Sequence, residues 1–188
     1  MKNLKSFIFA SLLVVLAVLF RTVWHLGPNI EFVTSASFLA ATYLGGFWVA
    51  VVPFLAMVIS DKILTNTNIY LFTWSAFVFI GLADYWLIKK WGRRKIVLKQ
   101  TGLGLVAGLF FYLYTNFGVW VLDNFGMYPK TIDGLLRCYL LGLPFLRFNL
   151  LGNLVFVPLS FMISEPLYAI IRAWREQRLT KAFLKSNF

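Results

Sequence analysis

One cysteine and one histidine in 188 residues leave this chain few of the usual tools of covalent or metal chemistry. Cys138 alone excludes an intrachain disulfide framework, and His25 alone leaves no histidine-based metal site. Acidic residues are scarce too, seven Asp and Glu against 18 Lys and Arg. The chain has no P-loop, no HExxH, no GxSxG and no CxxC pattern, so the usual motifs of nucleotide, zinc, acyl-transfer and dithiol chemistry are missing. The glycine-rich run 102–108 has no preceding strand, which a nucleotide loop requires. Nothing in the spacing of His25 with Asp61 or Glu31 argues for an acid–base pair. Cys138 has Arg137 beside it but lacks a set of basic neighbours that would mark a nucleophile specifically. The chain is therefore read as a non-enzyme that needs no cofactor and no metal.

Apolar surface is what the chain has in excess. It is 60% hydrophobic and 19% aromatic, with a mean hydropathy of +0.77, whereas soluble domains are about 45–50% apolar. Repeated apolar runs point to an all-α integral membrane protein, because backbone polar groups in lipid must be satisfied within a helix. A net charge of +11 would suggest nucleic acid in a soluble protein. Here the cations fall in blocks between apolar runs, so topology explains them and no nucleic-acid partner is expected. At about 20 residues per span, the length allows six spans: one six-helix transmembrane domain over 1–188 with a basic tail at 172–188.

The first apolar run, 7–20, is followed by Arg21 rather than a small-x-small cleavage site, so it reads as a retained helix. A turn at 25–34 carries Gly27 and Pro28. The second span, 36–44, places Ala36 and Ala40 on one face, a spacing that lets helices approach closely. Gly45 and Gly46 interrupt it, and a third span, 47–60, contains Pro53 and closes at Asp61 and Lys62. The polar link 65–68 leads to a fourth span, 69–88, and then to Lys89, Lys90, Arg93, Arg94, Lys95 and Lys99. The fifth, 96–119, carries Gly104 and Gly108 as a second small-residue pair. Residues 131–143, with Asp133 and Arg137 at i, i+4, predict a short amphipathic helix that stops before Pro144. The sixth span follows at 148–171, and Arg172, Arg175, Arg178, Lys181 and Lys185 fill the tail. With both termini cytoplasmic, only Arg21, Lys62, Lys130, Arg137 and Arg147 fall outside, a strong positive-inside bias. The short amphipathic helix and three polar links then meet at the outer face.

That outer face is where a binding site is expected, above all in the polar and aromatic stretch 115–153. The candidate residues are Arg21, Asn29, Asp61, Asn116, Trp120, Arg137, Arg147 and Asn153. Guanidinium forks suit anionic or polar ligands; the competing reading pairs them with Glu31, Asp61, Asp123 or Asp133, or lets them snorkel to headgroups. Trp24, Trp74, Trp120, Tyr128 and Tyr139 either stack on a flat ligand or form an interfacial belt. Three inward stripes are expected: Asn149, Asn153, Ser160 and Ser164; Gly104, Gly108, Tyr112 and Thr115; and Thr73, Phe77, Gly81 and Asp84. They either line a pocket or glue helices together.

The segment PNIEFVTSASFLAATYLGGFWVAVVPFLAMVISDKIL resembles the start of the substrate-binding S components of energy-coupling factor (ECF) vitamin transporters. The motifs TNFGVW, MYP, GLLRCYLLGLPF and LLGN resemble a family of six-span bacterial membrane proteins of unknown function, over most of 21–161. The resemblance implies a multi-pass subunit of the cytoplasmic membrane that captures a small vitamin- or precursor-like solute at its outer face. A separate membrane coupling subunit and ATPase subunits would do the work. The alternative is a scaffold subunit of a cell-envelope complex, binding protein partners or anionic lipid without its own ligand. A third reading is a small membrane enzyme acting on lipid-linked substrates through Asp and Arg residues.

Overall fold

A computed structural model of the chain describes residues 2–24, 26–27, 29–66, 68–123 and 126–186. His25, Pro28 and Thr67, read above as parts of turns and links, lie outside the described residues, as do the side chains of Lys2, Arg178, Lys181 and Lys185. The helices are α1 (Lys2–Thr22), α2 (Val33–Leu39, continued by a π-helical turn, Ala40–Leu44), α3 (Trp48–Leu64), α4 (Tyr70–Trp91), α5 (Ile96–Leu122) and α6 (Ile132–Ser186). No strand occurs among the described residues. Asn3–Thr22, Tyr70–Trp91, Ile96–Leu122 and Ile132–Gln177 are long and apolar enough to cross a membrane, and Val33–Leu44 is a shorter apolar helix. The chain is an all-helical membrane protein.

Contacts between named residues show how the helices run. The C-terminal ends of α1 and α3 meet through Arg21 and Asp61, and their N-terminal parts through Phe7 and Trp48, so these two are parallel. Helix α2 runs back against α1, with Phe32 beside Phe20 and Tyr43 beside Phe9. Trp74 at the start of α4 reaches Asp61 at the end of α3. Gln100 at the start of α5 reaches Asp84 late in α4. Helix α6 then descends along α5, from Cys138 on the Asn116 carbonyl to Asn153 on the Gly104 carbonyl.

Helix α2 is the axle of the bundle. Every residue from Val33 to Ala41 is buried, as expected of a helix surrounded on all sides. Its small residues, Ser35, Ala36, Ser37, Ala40 and Ala41, let α1, α3, α4 and α6 close around it. Gly45 and Gly46 end it in left-handed backbone (φ 67° and 58°), a conformation that favours glycine.

Two boundaries differ from the sequence reading. The helix expected to stop before Pro144 does not stop; α6 continues through Pro144, Pro158 and Pro166 to Ser186. A proline removes one intrahelical hydrogen bond, but ending the helix in an apolar span would strand several backbone groups at once. Tyr112 also donates its hydroxyl to the Tyr139 carbonyl at 2.6 Å, in the turn before Pro144. The tail is therefore a helical extension of α6. At the end of the bundle where it leaves, Tyr43 bonds to Glu165 (2.5 Å) and Ser164 (2.9 Å). Arg93 pairs with the same Glu165, and its guanidinium sits 4.8 Å from the Tyr43 ring and 4.4 Å from the Tyr168 ring.

The α5–α6 seam is close because glycines line it. A Cβ at Gly108 would fall 2.5 Å from Asn149 Oδ1 and 3.0 Å from Leu150 Cδ2, whereas one at Gly102 would meet nothing within 4 Å. Gly108→Val is therefore expected to destabilise the protein by about 1–3 kcal/mol through overpacking, with Gly102→Val near neutral. Melting temperatures of the two variants in detergent check this.

Candidate functional site

The site begins with a buried charge. Arg21 closes the inward face of α1, below Ala10, Leu13 and Ala17, and is only 8% exposed. One guanidinium nitrogen, Nη1, donates to Asp61 Oδ1 at 2.9 Å and to Ser60 Oγ at 2.6 Å. Nε lies 3.0 Å from Glu31 Oε1; its N–H is not aligned on that oxygen, so this contact is charge pairing rather than a hydrogen bond. Ser60 donates its own hydrogen to the Ala56 carbonyl at 2.6 Å, which leaves its oxygen free to accept from Arg21. The other oxygen of Asp61 accepts from Trp74 Nε1 at 2.7 Å. One cation and two carboxylates thus tie α1, the chain before α2, α3 and α4 together. Removing either carboxylate's partner would strand a charge away from water.

Next to this cluster a cleft of about 360 Å³ opens among Asp61, Lys62, Thr65, Asn66, Tyr70 and Trp74. A second, of about 240 Å³, is lined by Asn66, Asn68, Ile69, Val119, Leu122, Asp123, Met127 and Tyr128. Asn66 belongs to both, so the α3–α4 turn stands between them. Thr65 makes that turn possible by taking left-handed backbone (φ 54°) at the end of α3.

The far wall of the second cleft is the short link from α5 to α6, and local bonds hold its shape. Asp123, at φ 36°, ends α5 and accepts the Met127 and Tyr128 amides at 2.8 and 3.2 Å. Trp120 Nε1 donates to the Pro129 carbonyl at 3.1 Å. Lys130 closes on the Val121 carbonyl at 2.9 Å and on the Trp120 carbonyl. Burial, with Cys138 and Asp123 nearby, pushes the Tyr128 hydroxyl above its ordinary range.

Of the eight candidates, Arg21 and Asp61 are brought together, and Asp61 lines the first of the two clefts. Arg21 is paired with the carboxylates of Asp61 and Glu31. Asn116 donates to the Tyr112 carbonyl at 2.8 Å and packs on Gly142. Asn153 donates to the Gly104 carbonyl at 2.9 Å. Both asparagines lie in the α5–α6 seam, and Trp120 braces the link. Arg137 is exposed, 3.9 Å from Asp133, and Arg147 is exposed on α6. Asn29 is half-buried in left-handed backbone, φ 58°. Sequence reasoning passed over Thr65, Asn66 and Tyr70; the polar run between Asp61 and an aromatic residue was their signal.

The model of a family of unknown function, DUF6580, matches residues 1–174. The chain belongs to this family. No curated protein and no solved structure matches it.

Arg21→Leu is expected to destabilise the protein by about 3–5 kcal/mol, because it leaves Asp61 and Glu31 uncompensated. Adding Asp61→Leu to that variant should recover part of the loss. Arg137→Ala, on an exposed pair, should stay within about 0.5 kcal/mol of the parent. Thermal unfolding of the purified protein distinguishes the three.

Proposed function

We propose that this protein is a substrate-binding membrane subunit, similar to the S components of ECF transporters, that captures a small vitamin- or precursor-like solute. The observation that carries the reading is the pair of clefts meeting at Asn66, beside a carboxylate fixed by Arg21. Tyr70 and Trp74 offer flat faces for a ring, while Asp61, Thr65, Asn66 and Asp123 offer acceptors for its polar edge. With Arg21 neutralised, the site favours a solute rich in hydrogen-bond donors over a strong anion.

In this reading all six helices cross the cytoplasmic membrane and both termini are cytoplasmic. The alternating helix directions support it, since they gather Lys89, Lys90, Arg93, Arg94 and Lys95 at the end where Lys5 starts the chain. The clefts then face outward. Energy would come from a membrane coupling subunit and ATPase partners; the chain binds and does not catalyse.

The scaffold reading also has an observation behind it. Beyond Glu165, α6 leaves the bundle with Leu167, Ile170, Ile171 and Trp174 exposed, among Arg172 and Arg175. That surface suits protein partners or anionic lipid whether or not a solute binds.

Mass spectrometry of small molecules retained by the detergent-purified protein separates the two. The expected result is one compound enriched in the parent, lost in Asn66→Ala and Tyr70→Ala, and kept in Arg137→Ala and Arg147→Ala. No enriched compound, together with no thermal shift across a solute screen, leaves the scaffold reading standing.

A further inference from the structure

Asp84 of α4 and Gln100 of α5 are buried, 2% and 0% exposed. Both lie within two turns of the Arg93 end, far along α4 from Trp74 and the clefts. Gln100 Nε2 donates to Asp84 Oδ1 at 2.8 Å. Two atoms of the pair are left over: Asp84 Oδ2 and Gln100 Oε1 are buried and have no hydrogen-bond partner. With Asp84 ionised, both are acceptors with nothing to accept. Unmet acceptors of this kind are costly, and an unpaired buried carboxylate more so.

Among the described residues, Asp84 forms no salt bridge. Apart from Asp84, the adjoining cleft of about 290 Å³ is walled by apolar residues, including Phe38 of α2 and Leu103 and Ala107 of α5. Helix α3 meets α4 here through Val49, whose carbonyl oxygen would lie 2.7 Å from a Cβ at Gly81. Three nearby cations are engaged elsewhere. Lys99 bonds to the Trp91 and Gly92 carbonyls at 2.8 and 3.3 Å. Lys89 sits 4.1 Å from the Tyr85 ring centre, and Arg93 pairs with Glu165.

A single hydrogen removes both defects. A carboxylic acid and a primary amide close into a ring of two bonds, amide N–H to carboxyl oxygen and acid O–H to amide oxygen. We infer that Asp84 and Gln100 form a proton-binding site, in which Asp84 carries a proton on Oδ2 and donates it to Gln100 Oε1. The ligand is a proton taken from solution, which converts a carboxylate into a neutral acid. The site is separate from the clefts at Asn66 and stands whether or not those bind a solute. Ionisable groups held inside membrane proteins in this way mark proton paths.

Infrared spectroscopy of the full chain, in phosphatidylcholine nanodiscs in heavy water at neutral pH, tests it. The expected spectrum has one protonated-carboxyl band. Asp84→Asn should abolish it while leaving the melting temperature unchanged, since an amide replaces both bonds. Gln100→Met should move the band to the position of an unbonded acid, and decides the matter by itself if Asp84→Asn does not fold. Absence of the band in the parent, its survival in Asp84→Asn, or its indifference to Gln100→Met overturns the site. So does a melting temperature that rises when sodium chloride replaces choline chloride in the parent but not in Asp84→Asn, which assigns the two oxygens to a metal cation.

Discussion

Among the described residues of α1, Arg21 is the one buried charged side chain, and its burial constrains everything near it. A guanidinium taken out of water needs carboxylates at hydrogen-bonding distance, and Asp61 and Glu31 supply them from two other parts of the chain. Asp61 must then hold its second oxygen against Trp74. The result is a fixed register among α1, α3 and α4 that apolar packing alone would leave freer to slide. Such a cluster need not add net stability, since well-packed apolar residues often replace a buried ion pair without loss.

The opposite end of the bundle repeats the device with different chemistry. Arg93 is gripped by Glu165 and by the rings of Tyr43 and Tyr168, which joins the π-helical turn of α2, the α4–α5 link and α6. Between the two clusters the helices are held by shape. Gly104, Gly108 and Gly142 admit Val157, Asn149 and Asn116. Asn116 and Asn153 donate to backbone carbonyls, and Asn149 accepts from Asn153, in a region where water is scarce. Polar side chains that look like ligand groups in the sequence are here the fasteners of a seam. Asn116 and Asn153 are spent in this way and line neither cleft.

The inward stripes were legible because a helical period is a local property. Thr73, Phe77, Gly81 and Asp84 are buried together, as are Gly104, Gly108, Tyr112 and Thr115. The candidate site was only half legible. Its charged pair, Arg21 and Asp61, was among the residues singled out, but the lining residues Thr65, Asn66 and Tyr70 look like an ordinary polar link until the α5–α6 link is folded against them.

By itself the sequence determined an all-helical membrane chain, the break at Gly45 and Gly46, and which faces of α4 and α5 turn inward. Each follows from hydrophobic runs, backbone freedom and period, all of which act within a few residues. Only the tertiary structure decided that α6 runs on through Pro144, where packing against α5 outweighs the hydrogen bond that the proline removes. It likewise decided that Arg21 is neutralised by Asp61, 40 residues away, and that Asp84 meets Gln100 across two helices. Those pairings depend on how long-range packing closes the bundle, and no local pattern encodes the partner.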